Sequence, residues 1–164
     1  MSLENKRPLF DDKIMFLVYL GHLLEDEDDI KLDTIAYLMF GYWAGTFGRD
    51  PQAPDIIADL HFGTDENGFY LRLSEDEWDR FNDLMATSAD DIEVEVIADD
   101  DMITFLQSVP QYLNNLQTDD LIRRVKQDLV WQKVARMSEQ PDPETLSLAI
   151  RCEYTMILSV WDRM

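Results

Sequence analysis

One helical stretch near the start of the chain has almost no polar face, and this limits the possible folds more than any other feature. It runs from Lys13 to Leu24, and most of its residues are large and apolar. A helix without a polar face is normally covered on all sides, so we predict a buried helix here. Asp11 or Asp12 is placed to cap its start. The acidic run 25–29 should end it near Leu24, because carboxylates are unfavourable at a helix C-terminus.

A second apolar helix should follow, with Asp33 as its cap and apolar residues at helical spacing up to Tyr42. The next segment, 41–51, contains three glycines and three aromatic residues. Glycines permit sharp bends and close backbone approach, and aromatic rings supply contact area. We therefore predict a bent, glycine-rich and aromatic segment there. A short helix is predicted over 54–60, with proline in its first turn.

Two segments have the pattern of β-strands. Phe69–Leu73 is aromatic and aliphatic and follows an Asn-Gly turn signal, and Ile92–Ile97 alternates apolar with acidic residues. They are candidates for a small antiparallel ribbon, although their register does not follow from the sequence. Between them, Ser74 and Glu77 form a capping box that opens a helix.

The last third of the chain has helical periodicity throughout. Acidic residues 99–101 should cap a short helix over 102–108, and Pro110 should end it. A long helix is predicted from Thr118 or Asp119 to Val134, then a linker at 138–141 and a final helix over 143–162. The predicted fold class is therefore α+β, predominantly helical, with a small antiparallel β ribbon.

The length of 164 residues and the hydrophobic fraction of 46% suit one compact domain, which we predict for residues 1–164. The longest apolar run, Ile14–Leu20, is far shorter than the roughly 20 residues that span a bilayer. The N-terminus has no stretch resembling a signal peptide. Cys152 is the only cysteine, so an intrachain disulfide is excluded. These features predict a cytoplasmic protein.

The formal net charge is −20, and most of the excess lies in the middle of the chain. Residues 61–101 contain 14 acidic and 2 basic residues, whereas 102–164 contain 8 and 7. A charge of this sign repels nucleic acid and anionic membrane, so direct binding to either is not expected. The acidic residues form either a solvated surface, a docking face for a basic protein, or an imitation of the DNA phosphate array. The candidate face comprises Asp90, Asp91, Glu93, Glu95, Asp99, Asp100 and Asp101.

Residues for catalysis or cofactor binding are hard to find. The sequence has no phosphate loop, dinucleotide fingerprint, nucleophile elbow or zinc-protease motif. We expect His22 and His61 to be structural, and two histidines without a cysteine pair make a transition-metal site unfavourable. Cys152 lies in an apolar helical pattern, which favours a small buried side chain. The prediction is a protein that is not an enzyme and has no catalytic residue, metal or cofactor.

Three stretches, in order along the chain, resemble the Panacea-domain proteins, the SocA-like and phage-associated GepA group. Lys13–Leu23 is similar to that family's opening helix, a lysine and an apolar run with a tyrosine followed by a leucine. Phe47–Pro51 with Pro54–Leu60 resembles its aromatic-Gly-Pro segment and the helix after it. Leu129–Val134 resembles its tryptophan-centred motif. The resemblance covers residues 13 to about 134.

The resemblance implies a non-enzymatic antitoxin, or an adaptor that delivers a toxin to a protease. We accordingly expect a basic protein partner that is bound and neutralised, with the acidic face steering it. The alternative is a phage-encoded acidic DNA mimic that inhibits a nuclease, restriction or defence complex. Core packing is the structural alternative for Trp43, Phe47 and Trp131. The candidate partner-binding residues are Trp43, Phe47, Arg49, Asp50, Pro51 and Trp131.

Overall fold

The computed structural model describes residues 8–10, 12–24, 28–48, 53–57, 60–87 and 100–162, with the backbone alone for 87 and 157–162. Over these ranges the chain is mainly helical with one small antiparallel sheet, which confirms the predicted α+β class. The helices are α1 (Lys13–Leu23), α2 (Asp29–Phe47), α3 (Glu75–Thr87), α4 (Asp100–Asn114), α5 (Thr118–Lys126), α6 (Leu129–Ala135) and α7 (Pro143–Asp162). The strands are β1 (Phe62–Asp65) and β2 (Gly68–Leu71).

Helix α2 lies at the centre of the molecule. It contacts α1, α4, α5, α7 and β2, and 13 of its 19 residues are buried. Because it is covered on so many sides, it needs no polar face. The predicted burial of α1 is also confirmed: five of its residues are buried, and the Asp12 side chain caps its first turn. Each fully buried Leu, Ile or Phe side chain contributes about 1.5–3 kcal/mol of transfer free energy, so these two helices supply much of the core.

The ends of α2 differ from those predicted. The N-cap is Asp28, whose Oδ1 accepts the N–H groups of Ile30 and Lys31 at 3.1 and 3.2 Å, so the assignment of Asp33 as the cap was wrong. The helix also continues through Gly41 and Gly45 to Phe47, where a bent segment was predicted. Glycine costs about 1 kcal/mol in a helix interior, and burial on all sides offsets this cost.

Gly41 has a packing role that explains why a glycine is needed. A Cβ atom added there would lie 2.7 Å from the ring of Tyr154 on α7. The missing side chain therefore lets α7 approach α2 closely. The expected close backbone approach at a glycine of this segment is confirmed at Gly41, whereas the expected bend is absent as far as Phe47.

The two strands form a hairpin in which Phe62 pairs with Leu71 and Asp65 with Gly68. Gly68, the glycine of the predicted Asn-Gly turn, has a φ of +105°, a conformation that L-residues with a side chain rarely adopt. The partner of β2 is β1, a four-residue strand without a clear sequence signal. The segment 92–97, the other predicted strand, lies outside the described residues.

The segment before the hairpin is extended over the part that the structure describes. Residues 54–57 form no helix, so the short helix predicted from Pro54 is wrong there. The N–H groups of Leu9 and Phe10 instead donate to the carbonyls of Asp55 and Ile56, at 2.7 and 3.0 Å. Pairing with an upstream segment prevailed over the local proline signal.

The predicted capping box at the start of α3 is confirmed. Ser74 N–H donates to Glu77 Oε1 at 3.0 Å, and Glu77 N–H donates to Ser74 Oγ at 3.2 Å. Lys13 Nζ also lies 2.7 Å from Glu77 Oε2 and ties α3 to α1. The hydrogen bond from Lys13, then that from Ser74, holds the pKa of the partly exposed Glu77 carboxyl below its usual range.

The predicted helix end at Pro110 was wrong, because α4 continues through it to Asn114. Proline has no N–H to donate to the carbonyl four residues earlier, which belongs to Leu106. That carbonyl accepts a hydrogen bond from the Tyr19 hydroxyl at 2.8 Å instead. A side chain of α1 thus satisfies the acceptor that Pro110 leaves free.

The predicted long helix 118–134 is divided into α5 and α6, with a break at Gln127 and Asp128. The N-cap position of α5 is Gln117, not Thr118 or Asp119. The predicted start of α7 is confirmed: Asp142 Oδ1 accepts the N–H groups of Glu144 and Thr145, at 3.0 and 3.1 Å.

Candidate functional site

The break between α5 and α6 places a carboxylate inside the core. Asp128 is only 2% exposed. Its Oδ2 accepts the hydroxyl groups of Tyr37 on α2 and Tyr154 on α7 at 2.6 and 2.5 Å, and its Oδ1 accepts Arg124 Nη1 on α5 at 2.7 Å. Three helices are therefore joined through one carboxylate. We call these four residues the Asp128 junction.

The donors at the junction stay protonated at neutral pH. Burial, followed by the charge of Asp128 or of the other tyrosine, raises the pKa of both Tyr37 and Tyr154. Burial works against the charge on Arg124, but Tyr154 and the hydrogen bond to Asp128 raise its pKa overall. The carboxylate is surrounded by donors and nearly inaccessible to solvent, so its chemistry suits holding helices together.

A second carboxylate fixes α7 against α6. Glu153 accepts the N–H groups of Leu129 and Val130 at 3.0 and 2.6 Å, which are free donors in the first turn of α6. Burial raises the pKa of Glu153 although these hydrogen bonds favour its charged form. With the Asp128 junction, this contact determines which side of α7 faces the core and which faces solvent.

The outer side of α7 is apolar. Leu148 and Met156 are 62% and 69% exposed, and Cys152, which lies between them at helical spacing, is also exposed. Every exposed residue from 145 to 156 is uncharged. We call the surface formed by Leu148, Ala149, Cys152 and Met156 the α7 face. The prediction that Cys152 is buried was wrong, because the helix turns a different apolar stripe inwards.

A groove adjoins the α7 face and shares Leu148 with it. It has a volume of about 310 Å³, near the lower limit for ligand-sized pockets. The Arg151 guanidinium lies 5.0 Å from the centre of the Phe40 ring and donates to the Ile57 carbonyl at 3.3 Å. It is therefore held against the groove wall. The groove is lined by Phe40, Trp43, Ala44, Gly48, Asp55, Ile56, Leu148, Arg151 and Thr155.

Further apolar surface lies on α6. Leu129 is 70% exposed, and its N–H contacts Glu153, so it lies beside α7. Leu129 and Met137 line a shallow depression with Lys133 and Arg136. The exposed apolar side chains of α6 therefore have basic neighbours, unlike the acidic middle of the chain.

The predicted partner-binding residues occupy different environments. Trp43 is 2% exposed, its indole N–H donates to the Pro54 carbonyl at 3.0 Å, and its ring packs against Phe47 and Phe105. It is a core residue, which favours the core-packing alternative for this side chain. Phe47 is exposed only in part. Arg49, Asp50 and Pro51 lie outside the described residues.

Trp131 is half-buried and has a structural contact of its own. Its indole N–H donates to the carbonyl of Gly68 at 3.1 Å, and Lys126 Nζ lies 5.4 Å from its ring centre. The side chain thus links α6 to the hairpin turn. This position fits the core-packing alternative better than a contact role.

The predicted acidic face is described only in part. Asp100 and Asp101 are exposed in the first turn of α4, whereas Asp90, Asp91, Glu93, Glu95 and Asp99 lie outside the described residues. Helix α3 contributes exposed acids at positions 75, 76, 79 and 83. These side chains are accessible, which is compatible with a solvated surface and with a docking face alike.

Comparison with protein-family models, with curated proteins and with solved structures found no match for this chain. The resemblance to the Panacea-domain proteins therefore stays a prediction. Within the described ranges, no helix is long and apolar enough to cross a membrane. The same residues contain no group of three or more His, Cys, Asp or Glu side chains that would hold a metal ion.

Neither the Asp128 junction nor the α7 face was predicted from the sequence. Asp128 stands in an apolar helical pattern, and a lone acid there gives no sign of which distant tyrosines it meets. Helix α7 has two apolar stripes with the same spacing: Leu146, Ile150 and Tyr154 are buried, and Leu148, Cys152 and Met156 are exposed. Periodicity alone does not distinguish them.

Proposed function

We propose that this chain is a non-enzymatic, cytoplasmic binding protein that captures and neutralises a basic partner protein, as an antitoxin or an adaptor does. The observation that carries the proposal is the α7 face, an uncharged apolar row exposed on a chain with a net charge of −20. Contiguous exposed apolar surface marks interaction sites in soluble proteins. An apolar centre within a charged surface is also the usual composition of a protein interface.

The charge supports a basic partner. A protein with this net charge attracts cationic proteins over distances of about a Debye length, roughly 8 Å at physiological salt, and repels acidic ones. Such attraction speeds encounter more than it strengthens the final complex. We therefore assign encounter to the acidic surface and affinity to the α7 face.

The shape of the surface indicates the kind of segment that it receives. The α7 face is a straight helical row, and the adjoining groove is large enough for one or two side chains. An amphipathic helix that lays its apolar side along such a row is a common mode of recognition. The proposed ligand is an apolar helical segment of a basic protein.

The test begins with the protein encoded next to this chain in its genome, co-expressed and co-purified with it. Leu148→Glu with Met156→Glu should weaken binding at least about 30-fold, equivalent to about 2 kcal/mol for the loss of central apolar contacts. Ile103→Glu with Tyr112→Glu is the matched control, because both residues are exposed on α4 and the added charge is equal. The control should retain its affinity to within a few-fold.

Three results would contradict the proposal. Equal losses in the two double variants would mean that added charge, and not the α7 face, governs binding. If the wild-type chain forms a dimer and the Leu148→Glu and Met156→Glu double variant does not, the α7 face binds a second copy of the chain. DNA mimicry would be favoured if binding were unchanged in both double variants but lost with Asp76→Asn and Asp79→Asn. Such binding should also weaken steeply with salt.

A further inference from the structure

A second surface feature lies where α2, β2 and α3 meet. It is a cleft of about 580 Å³ that is open to solvent, and Asp33 of α2 lines it. The other lining residues come from the end of β2 and from α3. They are Tyr70, Leu71, Arg72, Leu73 and Trp78.

The Asp33 carboxylate is only partly satisfied by the residues that the structure describes. Its Oδ1 atom is buried and has no hydrogen-bond partner among the described residues. A buried acceptor without a donor costs about 1–3 kcal/mol, so native proteins rarely retain one without a reason. The Asp128 carboxylate, with three donors, shows that this fold can satisfy a carboxylate completely.

The surroundings of Asp33 favour a cationic ligand over an anionic one. Burial raises the pKa of Asp33 to about 7, against a lowering hydrogen bond from the Leu71 backbone. The charges of Asp29, Asp65 and Asp28 raise it further. A cation in the cleft would relieve the repulsion among these carboxylates, whereas an anion would increase it. Arg72 is the basic residue that lines the cleft, and its side chain is exposed.

The walls of the cleft narrow the chemical class of the cation. Trp78 of α3 lines the cleft and is partly exposed, and tryptophan rings attract ammonium and guanidinium groups. A hard metal ion requires about six oxygen ligands, and one carboxylate lines the cleft. An organic cation on an apolar stem suits a single acid with an indole side chain in the same cleft better.

We propose that the cleft receives an alkylammonium or guanidinium group, with Asp33 as its charge partner and Trp78 as its aromatic wall. The expected source is a lysine or arginine side chain of the basic partner, and in that respect the inference rests on the proposed function. The chemistry of the cleft does not depend on it. A free organic amine is the other source of the same group.

The first experiment uses the full chain and two small probes, N-acetyl-lysine methylamide and N-acetyl-arginine methylamide. Binding is followed by the NMR signal of the Trp78 indole N–H, which Trp78→Phe assigns. We expect saturable shifts in the wild type and at least about tenfold weaker binding in Asp33→Asn, which loses one charge pair. Asp76→Asn is the matched control, because this exposed acid of α3 carries the same charge and does not line the cleft.

The pH dependence separates the cleft from general attraction to acidic protein. Protonated Asp33 carries no charge, so affinity should rise from about pH 6 to pH 8 as this group ionises. Acids with ordinary pKa values are ionised throughout that range and give no such rise. His61→Asn should leave the rise intact, which excludes His61 as its cause, and Asp33→Asn should abolish it.

Binding measurements with the partner protein then distinguish the two sources of the cationic group. Weaker partner binding in Asp33→Asn than in Asp76→Asn supports a side chain of the partner as the source. If the probes bind in an Asp33-dependent way but no basic partner protein is found, the cleft is a site for free amines and only the proposed function is overturned. Equal probe affinities in Asp33→Asn, Asp76→Asn and the wild type would overturn the cleft, whatever the α7 variants show.

Discussion

Asp128 and Asp33 are both carboxylates that the fold withdraws from much of the solvent, and their surroundings differ completely. Asp128 accepts hydrogen bonds from two tyrosines and an arginine, and it joins α2, α5 and α7. Asp33 lines an open cleft, and its buried Oδ1 atom has no donor within the described part of the chain. The first arrangement stabilises the fold at neutral pH, whereas the second leaves an acceptor for a ligand. The comparison shows that a structural carboxylate differs from a candidate binding group in how completely its hydrogen bonds are satisfied, and not in burial alone.

The largest expected effect is the loss of the Asp128 junction. Asp128→Ala should lower the free energy of unfolding by about 3–5 kcal/mol, because two buried hydroxyls and a guanidinium lose their shared acceptor. Chemical denaturation at pH 7 measures the change. A loss below about 1 kcal/mol would show that the junction contributes little, and the contrast with Asp33 would fail.

A smaller effect is expected when the junction loses a single donor. Tyr154→Phe should cost about 1–3 kcal/mol, since the ring stays against Gly41 while Asp128 loses one hydrogen bond. Tyr70→Phe is the control, because Tyr70 is an exposed tyrosine of β2. Equal costs for the two variants would mean that the hydroxyl at position 154 has no special role.

Ionised Asp33 should destabilise the folded state, whereas the Asp128 junction stabilises it. Burial raises the folded-state pKa of Asp33 from its ordinary value of 3.8 to about 7, so ionisation disfavours the folded state. Wild-type stability is therefore lost as the pH rises from about 4 to about 7, and Asp33→Asn should lack this loss. Relative to wild type, the variant should gain roughly 1–3 kcal/mol between pH 5 and pH 8, discounted for partial exposure of the group. A gain that does not vary with pH would contradict an ionising Asp33.

Local signals predicted the parts of the fold that depend on local chemistry. The caps at Asp12 and Asp142 and the capping box at Ser74 were all read correctly, because each acts within four residues of itself. The errors arose where a distant residue compensates for a local signal. Pro110 stays in α4 because Tyr19 satisfies the carbonyl of Leu106, and a single sequence does not reveal that pair.

The candidate site was less predictable than the fold. Trp43 was chosen for its glycine and aromatic neighbours, and it lies in the core because α2 continues through that segment. The charge of the chain was evident from composition, but the position of uncharged surface was not. The α7 face can be located only when the rotation of α7 about its own axis is known. Contacts from α2, α5 and α6 determine that rotation.

The smallest expected effect is that of Leu148→Ala, and its contrast with Leu146→Ala tests whether that rotation is correct. Leu146 and Leu148 are the same residue type on the same helix, two positions apart, and they are 1% and 62% exposed. Leu146→Ala should cost about 2–5 kcal/mol of unfolding free energy, because it leaves a cavity in the core. Leu148→Ala should change it by less than about 0.5 kcal/mol, because solvent already surrounds that side chain. The matched pair measures the orientation of α7 without any partner. If Leu148→Ala proved as costly as Leu146→Ala, the outer side of α7 would be covered within the chain itself and would be closed to a partner.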